Sequence, residues 1–287
     1  MWALRSSGMR RSRESGKGCI DMGAAFSRQA AMVQGAAFIV ALLLAWEAAS
    51  ALGWLRPYSF PAPSRIAQGA WELAVRGFPE GVRIWTHALV TLRRIFSGFA
   101  LAMIVAIPLG LAIGRAPSLD SLTQPVIIFA RSVATLSLLP LVIVWFGTGE
   151  LSKTLLIAYG CFWVMLSNVI AGVKYVDPVL IRAAQTMDTP GHEIFTHIVL
   201  PAALPRIFAG ARTALGVGFM VIVGAEMIGT IEGLGALIME ARTFYRTDVT
   251  IVGMALLGVM GVVFALGMEA LERRLLPWHV GLAEVRR

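Results

Sequence analysis

The chain has 287 residues, 57% of them hydrophobic and only 15% charged, with a mean hydropathy of +0.74. That composition, gathered in long apolar blocks, excludes a soluble globular domain and points to a helical protein crossing a membrane several times. The net charge of +8 suggests nucleic acid, which we exclude because the basic residues collect at the termini and beside the apolar blocks, where they orient the chain against anionic lipid.

Residues 1–34 form a basic tail with Arg5, Arg10, Arg11, Arg13, Lys17 and Arg28, poor in large apolar side chains and read as disordered. Met22 and Met32 are alternative starts. The basic part is too long for a cleavable signal, and no small-residue cleavage site follows. A first span is expected at about Gly35 to Leu55, with Glu47 as a helix-face or interfacial charge. Pro57 to Pro63 makes a turn-rich exit. Ser64 is expected to cap a helix with Ile66, Ala67, Ala70, Trp71 and Ala74 on one side, lying at the interface with Trp71 at the headgroup level. The second span, about His87 to Gly114, carries Gly98, Gly110 and Gly114, which let another helix come close.

Span three is expected at about Leu122 to Phe146. Arg131 lies about nine residues into it, roughly 13 Å deep, and a charge there is costly enough to be a functional candidate. It either meets an anionic solute or pairs with a carboxylate or carbonyl. Span four, about Lys153 to Val173, has Ser167 and Asn168 near one end, with Asn168 expected to hydrogen-bond between helices. A polar island over 178–205 reads as two short helices with a break between. Asp188 and Thr189 can cap the second, and Pro190 suits its first turn. Pro201 and Pro205 limit how the chain re-enters the membrane. The island suits a rigid bracket along the membrane face. Span five is expected at about Ile207 to Ile231, with Arg212 snorkelling to the near interface and Glu226 close to the far end. Span six covers about Val249 to Leu271, and Leu271 to Trp278 forms an interfacial anchor.

Six spans put the tail and the island on one side. The segments on that side (1–34, 115–121, 174–206, 272–287) hold roughly twice the Lys and Arg of the other, as the positive-inside rule requires. Arg93 and Arg94 then fall near the outer face. Cys19 and Cys161 are far apart, so neither a disulfide nor a metal site is inferred. His87, His192, His197 and His279 are read as surface residues. No G-x-x-x-x-G-K-[ST], H-E-x-x-H, G-x-S-x-G or Cys-x-x-Cys occurs, so the chain is not expected to hydrolyse ATP or to bind a cofactor itself. On these residues alone, a channel or a secondary transporter driven by an ion gradient is the alternative.

Ala183-Ala184, Phe195 and Ile198-Val199-Leu200-Pro201 resemble the EAA loop of binding-protein-dependent ABC importer permeases. Pro140 to Gly149 is similar to the PL-x-x-x-WFG-x-G segment of the nitrate, sulfonate and taurine permeases. Thr91 to Arg94 with Pro108 to Gly110 resembles the opening of that permease core, and Gly224 to Ile228 its AEM segment. The resemblance covers about residues 36 to 278. Three departures stand out. Arg182 replaces the usual glutamate. Asp188 replaces the usual glycine, with Gly191 three places late; Asp tolerates the left-handed conformation better than most residues. Ser132, Ala134 and Thr135 replace prolines, so span three is expected to be more regular.

The resemblance implies an all-α polytopic membrane protein of the ABC type I importer permease fold. Residues 35–84 would hold the first span and an external segment, 85–278 the permease core, and 279–287 a cytoplasmic tail. The 178–205 loop would be the coupling helix docking on an ATPase, through Arg182, Ala183, Ala184, Asp188, Gly191, Phe195, Ile198, Leu200 and Pro201. Arg131, Asn168 and Glu226 are candidates for the pathway, Glu226 with a structural or gating task. The resemblance further implies a homodimer in a bacterial inner membrane, both termini cytoplasmic. Its partners would be two ATPase copies holding ATP-Mg and an extracytoplasmic substrate-binding protein, and its cargo a small organic anion of the sulfonate, taurine or nitrate kind.

Overall fold

The structure is a computed structural model that describes residues 34–277 apart from Ala36, Pro57, Pro79 and Glu80. The basic tail with Cys19, Trp278 of the closing anchor, and residues 279–287 with His279 lie outside the described residues. The chain divides into two units, Met1–Ala67 and Gln68–Arg287.

In the first unit, helix α1 (Ala37–Ala51) is apolar but shorter than the roughly 20 residues that a straight crossing needs. Helix α2 (Pro63–Val75), which straddles the division, begins one residue before Ser64, so Ser64 does not cap it. The Glu47 carboxylate accepts instead from the Ser64 N–H (3.1 Å) and hydroxyl (2.7 Å). A carboxylate beside unsatisfied N–H groups at a helix start is favourable, which gives this charge a structural task. Within α2 the buried residues are Gly69 and Leu73, while Trp71 is exposed. The packed face is thus distinct from the Trp71 side, which the interfacial reading leaves to lipid.

The second unit is a helical bundle. Among the described residues, α3 (Ile84–Arg115), α6 (Glu150–Lys174), a continuous helix over Gly191–Glu226, and α11 (Thr247–Leu275) are long and apolar enough to cross a membrane. The bent pair of α4 (Pro117–Ser132) and α5 (Leu139–Phe146) makes a fifth crossing if counted as one span. The sixth expected span is the short α1.

Small residues recur every four positions on α3 as Gly98, Ala102, Ala106, Gly110 and Gly114. A Cβ on any of the three glycines would come within 2.8 Å of Ile157, Val169 or Val173 on α6. The α3 backbone thus lies directly on a row of β-branched side chains, the close approach that small residues permit between helices in lipid.

Span three departs from the regularity expected of it. Val133 and Ala134 are extended (ψ 119° and 118°), a 3-10 turn follows at Thr135–Leu138, and the helix axis bends by 81°. Missing prolines do not straighten it because other groups hold the break. The Tyr159 hydroxyl donates to the Ala130 carbonyl (3.0 Å), and the Ser137 hydroxyl and N–H donate to the Ala134 carbonyl (2.7 and 2.9 Å). Backbone groups freed in hydrocarbon need such partners. Pro140 starts α5, and Gly147, at φ +74°, ends it.

A further helix, α10 (Leu234–Thr243), follows the 227–233 loop and has no counterpart among the elements expected from the sequence. Its buried Leu234, Leu237, Ile238 and Ala241 keep a helical period, but over too short a stretch to stand out beside the spans. Arg246 ties α2 to the start of α11 through Glu72 (3.0 Å) and Asp248 (2.8 Å). The Asp248 hydrogen bond, opposed by burial and reinforced by Glu72, holds the Arg246 guanidinium above its usual pKa.

Candidate functional site

Helix α7 (Pro178–Thr186) is capped by Asp177, whose carboxylate accepts from the Val179 N–H at 2.8 Å. The turn that closes it is made at Asp188, which has φ +57°. The Asp188 N–H bonds the Gln185 carbonyl (3.1 Å) and the Thr189 N–H bonds that of Ala184 (3.3 Å). This is a Schellman closure with aspartate where glycine is usual. Gly191, by contrast, is helical, with nothing within 4 Å of where a Cβ would stand.

The second helix of the island does not stop. α8 (Gly191–Glu193), a π turn (Ile194–Val199) and α9 (Leu200–Glu226) run on as one helix through Pro201 and Pro205. Span five therefore starts at the bracket itself. The π turn ends two residues before Pro201, with the Leu200 N–H reaching the Phe195 carbonyl. The wider turn leaves room for a proline ring that cannot take part in the ordinary ladder. Pro190 occupies the N-cap position, without the side-chain capping bond expected from Asp188 or Thr189.

The nine loop residues do not share one exposure: Arg182, Ala183, Asp188 and Gly191 are exposed, whereas Ala184 is buried and Phe195, Ile198, Leu200 and Pro201 are half-buried. Phe195 packs toward the core with the Arg115 guanidinium 4.9 Å above its ring. The outward apolar face is carried instead by Val179 (65% exposed), Leu180 (48%) and Met187 (80%), with Ala183 between them. Their helical spacing is legible in the sequence. His192 and His197 are exposed there, as expected of surface residues. Lys174 pairs with Asp120 at 2.6 Å and Arg206 lies over the Tyr175 ring, both beside the bracket.

A second polar constellation occupies the opposite end of the bundle. His87, Thr91 and Arg94 share one face of α3 and are all buried. Arg94 donates to both Glu150 oxygens, to Glu226 Oε1 (2.8 Å) and to the Glu232 carbonyl (2.7 Å). Glu226 also accepts from Thr91 Oγ1 (2.9 Å) and the Gly235 N–H (2.9 Å). Lys153 Nζ lies 3.5 Å from Glu150, so the four charges balance. The loop must hug this site: a Cβ on Gly233, whose φ is +130°, would stand 2.5 Å from the Glu226 carboxyl carbon. His87 is no surface residue. With Nε2 protonated, it donates to the Phe78 carbonyl (3.0 Å) while Nδ1 accepts from the Gly233 N–H (3.2 Å).

The three pathway candidates are not gathered into one site. Glu226 is the C-terminal residue of α9, inside the balanced cluster. Asn168 packs its Cβ against Gly210 of α9, but its amide donates to the Val164 carbonyl on its own helix (2.9 Å) rather than across to a neighbour. Arg131 lines a cleft of about 180 Å³ between α4 and α6. Arg212, expected to snorkel, pairs with Glu272 on α11.

The family described as binding-protein-dependent transport system inner membrane component matches residues 98–277. The taurine transport system permease protein of Escherichia coli K12 is 36% identical over 84% of this chain and 88% of its own length. A putative aliphatic sulfonates transport permease of the same organism is 33% identical over 84% and 89%. An inward-facing structure of the MetNI methionine ABC transporter has a similar fold, with a TM-score of 0.57 at 18% identity, covering 67% of this chain and 96% of that one.

Proposed function

The chain belongs to the family of binding-protein-dependent transport system inner membrane components, and on that premise we propose that it moves a small organic anion of the sulfonate or taurine kind. It is a permease subunit of an ABC importer, an integral protein of the inner membrane, and its family implies an ATPase and a substrate-binding protein as partners. In our reading two copies form the channel, two ATPases bind ATP-Mg beneath them, and the Lys174 end of the bundle faces the cytoplasm. This membership favours ATP-driven import over an ion-gradient mechanism.

The observation that carries the mechanism is the continuity of the bracket's second helix with span five over Gly191–Glu226. An ATPase groove would receive the exposed Val179, Leu180, Ala183 and Met187 face of α7. The Schellman turn at Asp188 passes displacement to Gly191–Glu226, a helix roughly 54 Å long at 1.5 Å per residue. Its far end is tied to α3 and α6 through Glu226, Arg94 and Glu150. ATP-driven closure of the partners then selects between two arrangements of the whole bundle rather than bending one helix.

The test is reconstitution of the permease with its cognate ATPase and binding protein, followed by uptake of labelled taurine and ethanesulfonate. Uptake requiring both ATP and the binding protein is expected. Uptake that persists without the ATPase, driven by a proton or sodium gradient, would overturn the reading.

A further inference from the structure

Arg131 differs from the cations that are paired within the bundle, and it shares its lack of a partner among the described residues with Arg93 and Arg182, which are exposed outside its cleft. Arg94, Lys153, Lys174 and Arg212 each face a carboxylate, and Arg115 and Arg206 each cover an aromatic ring. Arg131 makes no hydrogen bond, ion pair or ring contact with the described residues, although it sits in a span segment where an unmatched charge is costly. Asp120, Gln124 and Arg131 fall on one face of α4, and Ser167, Ala171 and Lys174 on the facing side of α6. The Gln124 amide likewise has no hydrogen-bond partner among the described residues. Asp120 is neutralised by Lys174 at 2.6 Å, which leaves the cleft with one net positive charge.

Resting on the transport function above, we propose that this cleft binds the acid group of the cargo on the cytoplasmic half of its route, Arg131 pairing with the sulfonate and Gln124 adding a neutral donor. The cleft, about 180 Å³, holds a two- or three-carbon acid with some of its water. A lipid phosphodiester offers the same chemistry, but Arg131 lies eleven residues beyond Asp120, roughly 16 Å along α4 from the Lys174–Asp120 pair that our reading places at the cytoplasmic boundary. Planar guanidinium donors suit the paired oxygens of a sulfonate. Tyr175, at the mouth, is two residues from the Asp177 cap of α7, so displacement of the bracket reaches the cleft directly.

The test uses the full transporter in nanodiscs, with Ala171→Cys as a reporter in a Cys19→Ser background; Cys161 is buried and stays. An anionic methanethiosulfonate reagent is expected to label the introduced thiol about five- to tenfold faster than a cationic one of similar size. The ratio should fall toward one with Arg131→Gln and recover with Arg131→Lys. Millimolar ethanesulfonate should slow the anionic reagent equally in phosphatidylcholine and phosphatidylglycerol discs. Equal rates for the two reagents, or a ratio indifferent to Arg131→Gln, overturn the proposal. Slowing by phosphatidylglycerol but not by ethanesulfonate assigns the cation to lipid and overturns it too. ATP-driven uptake by the Ala171→Cys transporter is read separately: uptake with no reagent preference sinks the cleft while leaving the transport function standing.

Discussion

Arg93 and Arg94 are neighbours in sequence, yet Arg93 is exposed and Arg94 is 5% exposed with two carboxylates and a carbonyl around it. One residue is a turn of about 100° on a helix, enough to separate a surface charge from a buried one. Removing one partner of such a pair leaves the other uncompensated. Glu226→Ala should therefore cost about 3–5 kcal/mol, read as a lowered thermal midpoint of the purified permease in detergent. Replacing both members with apolar residues, Arg94→Met with Glu226→Leu, should recover much of that loss. A double variant as unstable as the single one would show that the charges themselves are needed. At the bracket, Asp188 holds a left-handed conformation that a glycine adopts without strain. Asp188→Gly should raise stability by about 1 kcal/mol and Asp188→Val should lower it by at least as much, in the same assay.

At the scale of elements, apolar blocks locate the long helices because runs of about twenty Leu, Ile, Val and Ala residues have no other home than lipid or a core. Breaks are harder to read. The 81° bend in span three needs no proline, since Tyr159 and Ser137 satisfy the carbonyls it frees, and Tyr159 sits 29 residues away from Ala130 in the chain. The reverse holds at Pro201 and Pro205, where prolines that look like breakers lie inside a continuous helix; the π turn before Pro201 makes room for the first of them. Close packing of α3 on α6 is the most exposed to substitution. Gly110→Leu would drive a side chain into Val169, 2.7 Å from the added Cβ, and should cost about 1–3 kcal/mol by the unfolding midpoint. An unchanged midpoint would mean that the two helices can separate freely.

For the whole molecule, the bracket and the buried charge cluster lie at the two ends of Gly191–Glu226. Pushing on α7, in our reading, moves that helix as a body, and Glu226 carries the movement to α3 and α6. In our reading the ATPase contact depends on the outward face of α7. Met187→Asp, alone or with Leu180→Asp, should leave the amount of membrane-inserted permease unchanged and reduce ATP-dependent taurine uptake at least tenfold, about 1.4 kcal/mol of coupling. Phe195→Asp should instead lower the amount of folded protein, because Phe195 packs against the core beneath Arg115. Uptake surviving Met187→Asp while falling with Phe195→Asp at constant protein level would move the docking surface to Phe195.

By itself the sequence determined that this is a helical membrane protein and about where the spans that became α3, α6 and α11 run; hydropathy and short motifs are local, and these features are local too. Only the tertiary structure decided that α8 and α9 are one helix, that Asp188 rather than Gly191 makes the turn, that Arg94 and Glu226 meet, and that Arg131 is left without a partner among the described residues. Those facts depend on groups far apart in the chain, which no periodicity within one segment can place side by side.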